Sequence, residues 1–165
     1  MSEQKEKKDL QVVAFCLGEE EYAVDIQKLR EVVKYVNITP LPHAADFIEG
    51  IINLRGDVIP VIDLRKRFGI GTYEVDTKTR IIIVEIFGNL LGFVVDEVTE
   101  VLHFAGEQIQ DPPQGMLEED NDYIEGIGKQ DSRLIIILDP EKIINSEEQA
   151  DLDLAEKEGT EKATA

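Results

Sequence analysis

Along most of this chain, apolar residues alternate with polar ones at the two-residue period of half-buried strands, and glycine, proline or charged clusters interrupt them at short intervals. Residues 12–17 and 22–24 are apolar runs on either side of Gly18-Glu19-Glu20-Glu21, which predicts a hairpin. Asp25 is placed to cap a helical turn carrying Ile26 and Leu29, after which Val32-Val33 and Tyr35-Val36 resume an extended pattern. Pro40 and Pro42 end it. A brief helical turn over 44–48 leads to a strand through Ile51, Ile52 and Leu54, a turn at Arg55-Gly56-Asp57, and a strand over 58–62. Pro60 has no N–H to give a ladder, so its strand is expected at a sheet edge or a bulge. Asp63 then caps a short helix that stops before Gly69.

The second half repeats this order. Strands are expected over 80–87 and 91–95 around Gly88-Asn89, and Val98, Val101 and Leu102 extend the sheet. A polar connection over 106–122 carries Pro112-Pro113 and Gly115. The continuous apolar run 134–138 predicts a strand buried on both faces where two units meet. A short helix over 141–145 and an acidic tail close the chain.

The repetition reaches individual residues. IEGIINLRGDVIPVIDLRKRF at 48–68 returns as IEGIGKQDSRLIIILDPEKII at 124–144, so that Ile48, Glu49, Gly50 and Ile51 meet Ile124, Glu125, Gly126 and Ile127. In the same register Ile59, Val61 and Asp63 meet Ile135, Ile137 and Asp139. Upstream, Gly18 falls opposite Gly88, Asp25 opposite Asp96, and Glu31-Val32-Val33 opposite Glu100-Val101-Leu102. A period this long predicts one duplicated unit and not a solenoid of short repeats. Many short strands, repeated once, predict two small antiparallel barrels or sandwiches. As one unit, a chain of 165 residues buries roughly 70% of its unfolded surface. Each half alone is marginal, so the copies are expected to share a core.

Charge narrows the partners. With 17 Lys+Arg against 35 Asp+Glu, the net charge of −18 repels phosphate backbones and anionic membrane surfaces. Lys28, Arg30, Lys34, Arg55, Arg65, Lys66 and Arg67 nevertheless make the first half locally basic. Cys16 has no partner for an internal disulfide, and its apolar surroundings predict a packing role in a reducing compartment. The first residues lack the apolar core of a signal peptide, and a soluble cytoplasmic protein is expected.

Catalytic and metal chemistry find little support. His43 and His103 have no companions at ligand spacing, and Asp120-Asn121-Asp122 lacks the third oxygen ligand and glycine of a calcium loop. Phosphate-cradle and nucleophile-elbow segments do not occur. Asp63 and Asp139 occupy matching places before short helices, which makes them caps. Residues present in one copy only are better functional candidates, and these are Asn53-Leu54-Arg55-Gly56 against Lys129, Gln130, Asp131 and Ser132. The Arg55 guanidinium suits a carboxylate. Two roles stay open for it: an ion pair within the fold, with Glu31 as mate, or a contact to a partner.

GIINLRGDVIPVIDLR, preceded by EYAVDIQKLREV and followed by GFVVDEVTEVL, resembles the CheW family of chemotaxis coupling proteins over about residues 12–146. The regulatory domain of the kinase CheA is similar, but the chain has no room for the kinase's other domains or for the receiver domain of CheV. The resemblance implies a mainly β fold of two intertwined SH3-like five-stranded β-barrel subdomains sharing a hydrophobic core, with short helices and a C-terminal helix or tail. It places one domain at 10–146, with subdomains near 12–72 and 80–145, and flexible or partly helical termini at 1–9 and 147–165. It further implies no catalysis, no cofactor and no metal. The implied partners are the CheA regulatory domain and the cytoplasmic tip of methyl-accepting chemoreceptors, with no nucleic acid and no membrane insertion, at cytoplasmic sites recruited to receptor arrays. Carried over by position, Leu29, Glu31, Gly50 and Arg55 are implied in receptor engagement and coupling, and Val13, Ile26 and Leu29 in kinase binding. Core packing is the competing role for each aliphatic residue. A non-chemotactic double-barrel scaffold or ligand-binding module is the alternative function, and a hydrolase built on Asp or Glu pairs is a third.

Overall fold

A computed structural model describes residues 8–42, 46–71, 73–112 and 123–143. Strands β1 (Leu10–Leu17) and β2 (Glu20–Asp25) form the first hairpin, and Gly18 takes the left-handed turn position at φ 64°. Asp25 accepts the Gln27 N–H at 2.9 Å and so caps the 3-10 turn Ile26–Lys28, which leads into β3 (Leu29–Lys34). A second hairpin joins β4 (Ile48–Leu54) to β5 (Asp57–Asp63). Helix α1 (Leu64–Phe68) follows, started by the Asp63 carboxylate on the Arg65 N–H and stopped by left-handed Gly69 at φ 71°.

The third hairpin comprises β6 (Arg80–Ile86) and β7 (Asn89–Val95), and β8 (Glu97–Phe104) runs on from it. After the 3-10 turn Gly106–Gln108 come β9 (Ile109–Gln110), β10 (Ile124–Gln130) and β11 (Arg133–Leu138).

These strands build two sheets, in the orders β8-β1-β2-β11-β10-β9 and β3-β6-β7-β5-β4. Strand by strand the two orders match: β8 corresponds to β3, β1 to β6, β2 to β7, β11 to β5 and β10 to β4. Both contain a single parallel pair, β11 with β2 and β5 with β7. Each sheet therefore takes its leading hairpin from one copy of the repeat and its remaining strands from the other, which is how the halves intertwine. Sheet membership does not follow the boundary between residues 72 and 80.

The repeat is visible in detail. A bulge falls between Ile48 and Gly50 in β4 and between Ile124 and Gly126 in β10. The Asp63 N–H donates to the Phe47 carbonyl at 2.8 Å, and the Asp139 N–H to the Tyr123 carbonyl at 2.7 Å. One sheet has six strands where five were expected, because β9 pairs with β10 through two residues. Its counterpart is a single bridge, Thr39 to Ile51, with N–H···O distances of 2.9 Å both ways. In both sheets this link draws the outermost strands toward each other.

Three apolar clusters follow from the pairing. Val12, Ala14, Leu102, Phe104, Ile135 and Ile137 fill the six-stranded sheet, and Ile52, Ile59, Val61, Ile81, Ile83 and Val94 fill the five-stranded one. Between them lies the largest cluster, contributed by both sheets, with Phe15, Leu17, Ile62, Ile82 and Phe93 fully or almost fully buried. Phe15, Tyr22, Phe68 and Tyr123 stack in succession through it and tie α1 to the six-stranded sheet.

Several expectations are corrected. Pro60 sits in β5, an interior strand and not an edge. Ile51 spends both backbone groups on Thr39, so the facing Pro60 is a non-hydrogen-bonded position toward β4, and the parallel ladder to β7 begins only at Val61. The structural counterpart of Gly18 is Phe87, not Gly88, since each occupies the first turn position of its hairpin with positive φ. The run 134–138 packs on both faces except at Leu134, which is exposed. Asp139 caps a turn, with the Lys142 N–H on its carbonyl at 3.0 Å, and no helix starts there among the described residues. Residues 43–45, 113–122 and 144–165, which carry part of the expected 44–48 turn, the long connection and the tail, lie outside the described residues.

Candidate functional site

The β4–β5 turn is built by the residues that distinguish the first copy. Arg55 and Gly56 take left-handed conformations, φ 52° and 91°, and the Asn53 side-chain oxygen accepts the Gly56 N–H at 2.9 Å. A non-glycine residue in this region costs on the order of 1 kcal/mol; Asp131, the matching residue of the second copy, takes the same conformation at φ 55°, so the strain belongs to the repeated turn, whose tip here is Arg55. From there the guanidinium ion-pairs with Glu31 of β3. Glu31 lies opposite Ile83, on the face that lines the five-stranded sheet, so the pair closes the mouth of that sheet. The Arg55 side chain nevertheless remains 68% exposed.

Leu29 pairs with Val84 instead and packs on the shared core, as does Ile26 in the preceding 3-10 turn; both are half-buried. A bulge after Leu29 separates the two sets of residues. The structure thus brings Glu31 and Arg55 together and places Ile26 and Leu29 on the opposite side of the same edge strand.

Two residues move out of the candidate surface. Val13 is 3% exposed in the shared core, so in this fold it has no face to offer a partner. Gly50 is buried too, at φ 149°, and a Cβ on it would stand 2.0 Å from the Thr39 carbonyl oxygen. Its requirement is steric: no side chain fits where β4 and the Thr39 segment meet.

The second copy holds a counterpart that alignment hides. Glu100 of β8 occupies the place of Glu31, and Arg133, two positions past the residue matching Arg55, reaches it at 3.5 Å. Arg133 also grips Glu21 through Nε at 3.2 Å and a terminal nitrogen at 2.7 Å, a forked bond that pushes its pKa further up. The glutamate signal was legible in the sequence; the arginine was missed because it comes from the strand and not the turn.

Other polar groups serve the fold. Asp63 is buried, burial pushes its carboxyl up, and its Oδ2 finds no hydrogen bond, while Oδ1 caps α1. Glu49 accepts from Lys66 at 2.9 Å and from the Tyr73 hydroxyl at 3.1 Å. An open depression of about 510 Å³ is bounded by Asp46, Phe47, Lys66 and Arg67, and Arg67 stacks over Phe47 at 5.9 Å. Among the described residues, Asp46 is the one acid on its wall. Among the described residues no three His, Cys, Asp or Glu side chains gather as metal ligands.

Residues 11–148 match the family model of the CheW-like domain. The chain is 38% identical over 139 residues to the chemotaxis protein CheW of Klebsiella aerogenes, covering 84% of each chain. The chain belongs to the CheW family. CheW of Thermotoga maritima is similar at 36% identity over 137 residues, 83% of this chain and 89% of that one. The crystal structure of the scaffolding protein TtCheW from Thermoanaerobacter tengcongensis superposes with a TM-score of 0.78 at 46% identity, covering 84% of this chain and 94% of that chain. The mainly β, two-sheet architecture is thus that of the CheW family.

Proposed function

We propose that this chain is a non-catalytic chemotaxis adaptor that couples methyl-accepting chemoreceptors to the histidine kinase CheA and so brings the kinase under receptor control. Its relatives are named as chemotaxis and scaffolding proteins. The observation that carries the reading on this chain is Arg55: a charged, multidentate side chain held at a strained turn, 68% exposed, on one internal carboxylate. A group that served only to close the sheet would be held as Arg133 is, by two carboxylates and half as exposed.

Glu31 of β3 and Arg55 of the β4–β5 turn form the receptor-facing side, and Gly50 lets β4 meet the Thr39 segment behind them. Ile26 and Leu29, on the other side, meet the regulatory domain of the kinase. Opposite sides of one strand suit two partners held at once, which raises their effective concentration for each other. An amphipathic receptor helix is the expected ligand of the surface around Glu31 and Arg55. Such an adaptor acts in the cytoplasm and is recruited to receptor arrays by its partners. No helix among the described residues is long and apolar enough to cross a membrane.

The test is reconstitution of the full chain with CheA and a receptor signalling fragment, with kinase phosphorylation and co-sedimentation as readouts. A ternary complex and receptor-dependent phosphorylation that need the chain are expected. Phosphorylation unchanged by adding the chain, with no ternary complex, contradicts the proposal and leaves a scaffold outside chemotaxis.

A further inference from the structure

The chain crosses between the two sheets at two equivalent places, and an ion pair clasps each one. At the first crossing, from β2 to β3, Lys28 donates to the Asp139 carboxylate at the end of β11, 3.2 Å away and 111 residues on. At the second, from β7 to β8, Asp96 accepts from Arg65 of α1, with Nε at 3.0 Å and a second, shorter bond beside it. Asp139 follows β11 as Asp63 follows β5, and Arg65 stands two positions beyond that match, in α1. The charges are exchanged: a cation sits on the first crossing and a carboxylate on the second. Alignment of the repeats cannot show this, because Lys28 has no like-charged counterpart.

The first clasp is flanked by the candidate binding residues. Lys28 lies between Ile26 and Leu29, both half-buried against the shared core. The 3-10 turn that carries Ile26 has only three residues and contains no buried side chain of its own. Besides the contact of Ile26 with the core, its two ends hold it: the Asp25 cap on one side, and Lys28 bound to the other sheet. The Lys28 and Asp139 side chains are 25% and 15% exposed, so water screens the pair less than it screens a surface ion pair. Burial works against the Lys28 charge, yet the Asp139 bond and the carboxylates of Asp139, Glu125 and Glu141 hold its pKa above the ordinary lysine value.

We propose that Lys28 is a positioning residue: its clasp to Asp139 fixes the first crossing on the six-stranded sheet and thereby sets how Ile26 and Leu29 are presented to the kinase domain. The binding half of this statement rests on the function proposed above, and the clasp itself does not. The Arg65–Asp96 clasp, at the crossing remote from these residues, serves as an internal control.

The test uses the full chain with Lys28→Met, Asp139→Asn, Lys28→Arg and Arg65→Met. Asp139→Asn removes the charge but retains Oδ1, which accepts both the Glu141 N–H at 3.0 Å and the Lys28 ammonium at 3.2 Å, so it spares the cap and weakens the clasp without abolishing it. Two readouts are taken below the unfolding transition: amide hydrogen exchange across residues 26–31, and affinity for the CheA regulatory domain. Loss of a half-buried pair of this kind is expected to speed local exchange and weaken binding by about fivefold in Lys28→Met, with a smaller change in the same direction in Asp139→Asn, which keeps the hydrogen bond and loses the charge. Lys28→Arg restores both, and Arg65→Met lowers the unfolding temperature without moving exchange at 26–31. Unchanged exchange in Lys28→Met, or equal opening of 26–31 in Arg65→Met, overturns the clasp. Faster exchange with undiminished kinase affinity keeps the clasp and overturns the placing of the kinase on this edge.

Discussion

The two sheets carry the same ion pair at the same place and hold it differently. In the six-stranded sheet Arg133 answers to Glu21 and Glu100 and is 37% exposed, whereas in the five-stranded sheet Arg55 answers to Glu31 alone and is 68% exposed. Arg133 begins a strand, two residues past the left-handed turn position that Asp131 fills at φ 55°, whereas Arg55 itself fills that position in the first copy at φ 52°. Duplication supplied the pair, and only one copy converts it into a surface feature. The rule that unmatched residues mark function needs amending: Arg55 has no charged counterpart in the alignment but has one in space, and its strained turn recurs at Asp131, so what singles it out is exposure.

The largest losses are expected at two glycines, one in each sheet, where no side chain fits. Gly50→Ala puts a methyl into the Thr39 backbone and should cost about 3 kcal/mol or more, read by chemical denaturation. The Gly128→Ala clash is with the Phe104 ring, 2.6 Å from the new Cβ, and a ring can shift where a carbonyl cannot. A smaller loss of about 1–3 kcal/mol is expected there. Equal losses would mean that the Thr39 segment yields as readily as a side chain. Val13→Ala removes two buried methyl groups and should cost about 2 kcal/mol while leaving kinase-domain affinity unchanged at low temperature. A selective loss of affinity in a fully folded Val13→Ala protein would return that residue to the interface.

At the mouths themselves, Arg133→Ala strands two carboxylates and should cost about 1 kcal/mol, against about 0.5 kcal/mol or less for Arg55→Ala. The reverse order would place the structural burden on Arg55. The smallest effect is a pH slope. Burial, then the charges of Asp139 and Asp25, raises the Glu125 carboxyl, with Lys28 and Lys142 opposing. The folded state therefore keeps a proton that the unfolded chain gives up near an ordinary carboxyl pKa of about 4.3. The resulting stabilisation is complete below that value and is lost as pH rises through the raised folded pKa. Glu125→Gln should flatten that part of the stability profile; an unchanged slope would show that Glu125 titrates normally.

Much of the fold was legible because it is local. Alternation marked the strands, Asp25 and Asp63 announced their caps, and Gly69 announced the end of α1. The bulges after Ile48 and Ile124 sit where the IEGI repeat lies, so duplication was readable as geometry. What escaped depends on pairing across the chain. No local signal places Lys28 beside Asp139, lets Arg133 stand in for Arg55, or shows that Val13 faces inward while Leu29 reaches the rim. The interior position of β5 escaped for the same reason, since Pro60 is tolerated by a hydrogen-bond phase that only the Thr39 bridge reveals. Within the candidate site the Glu31–Arg55 pair and its two possible roles could be named in advance, but how far Arg55 stays open to solvent could not, because exposure is a property of the assembled mouth.

The most direct measurement compares Arg55→Ala and Arg133→Ala in the reconstituted assembly, reading receptor-dependent CheA phosphorylation beside the unfolding temperature of each protein. Arg55→Ala is predicted to lose coupling by about tenfold, an effect of hot-spot size, with its unfolding temperature nearly unchanged, while Arg133→Ala loses stability and keeps coupling wherever it is folded. Full coupling by Arg55→Ala, or equal loss of coupling in both variants, would contradict the account.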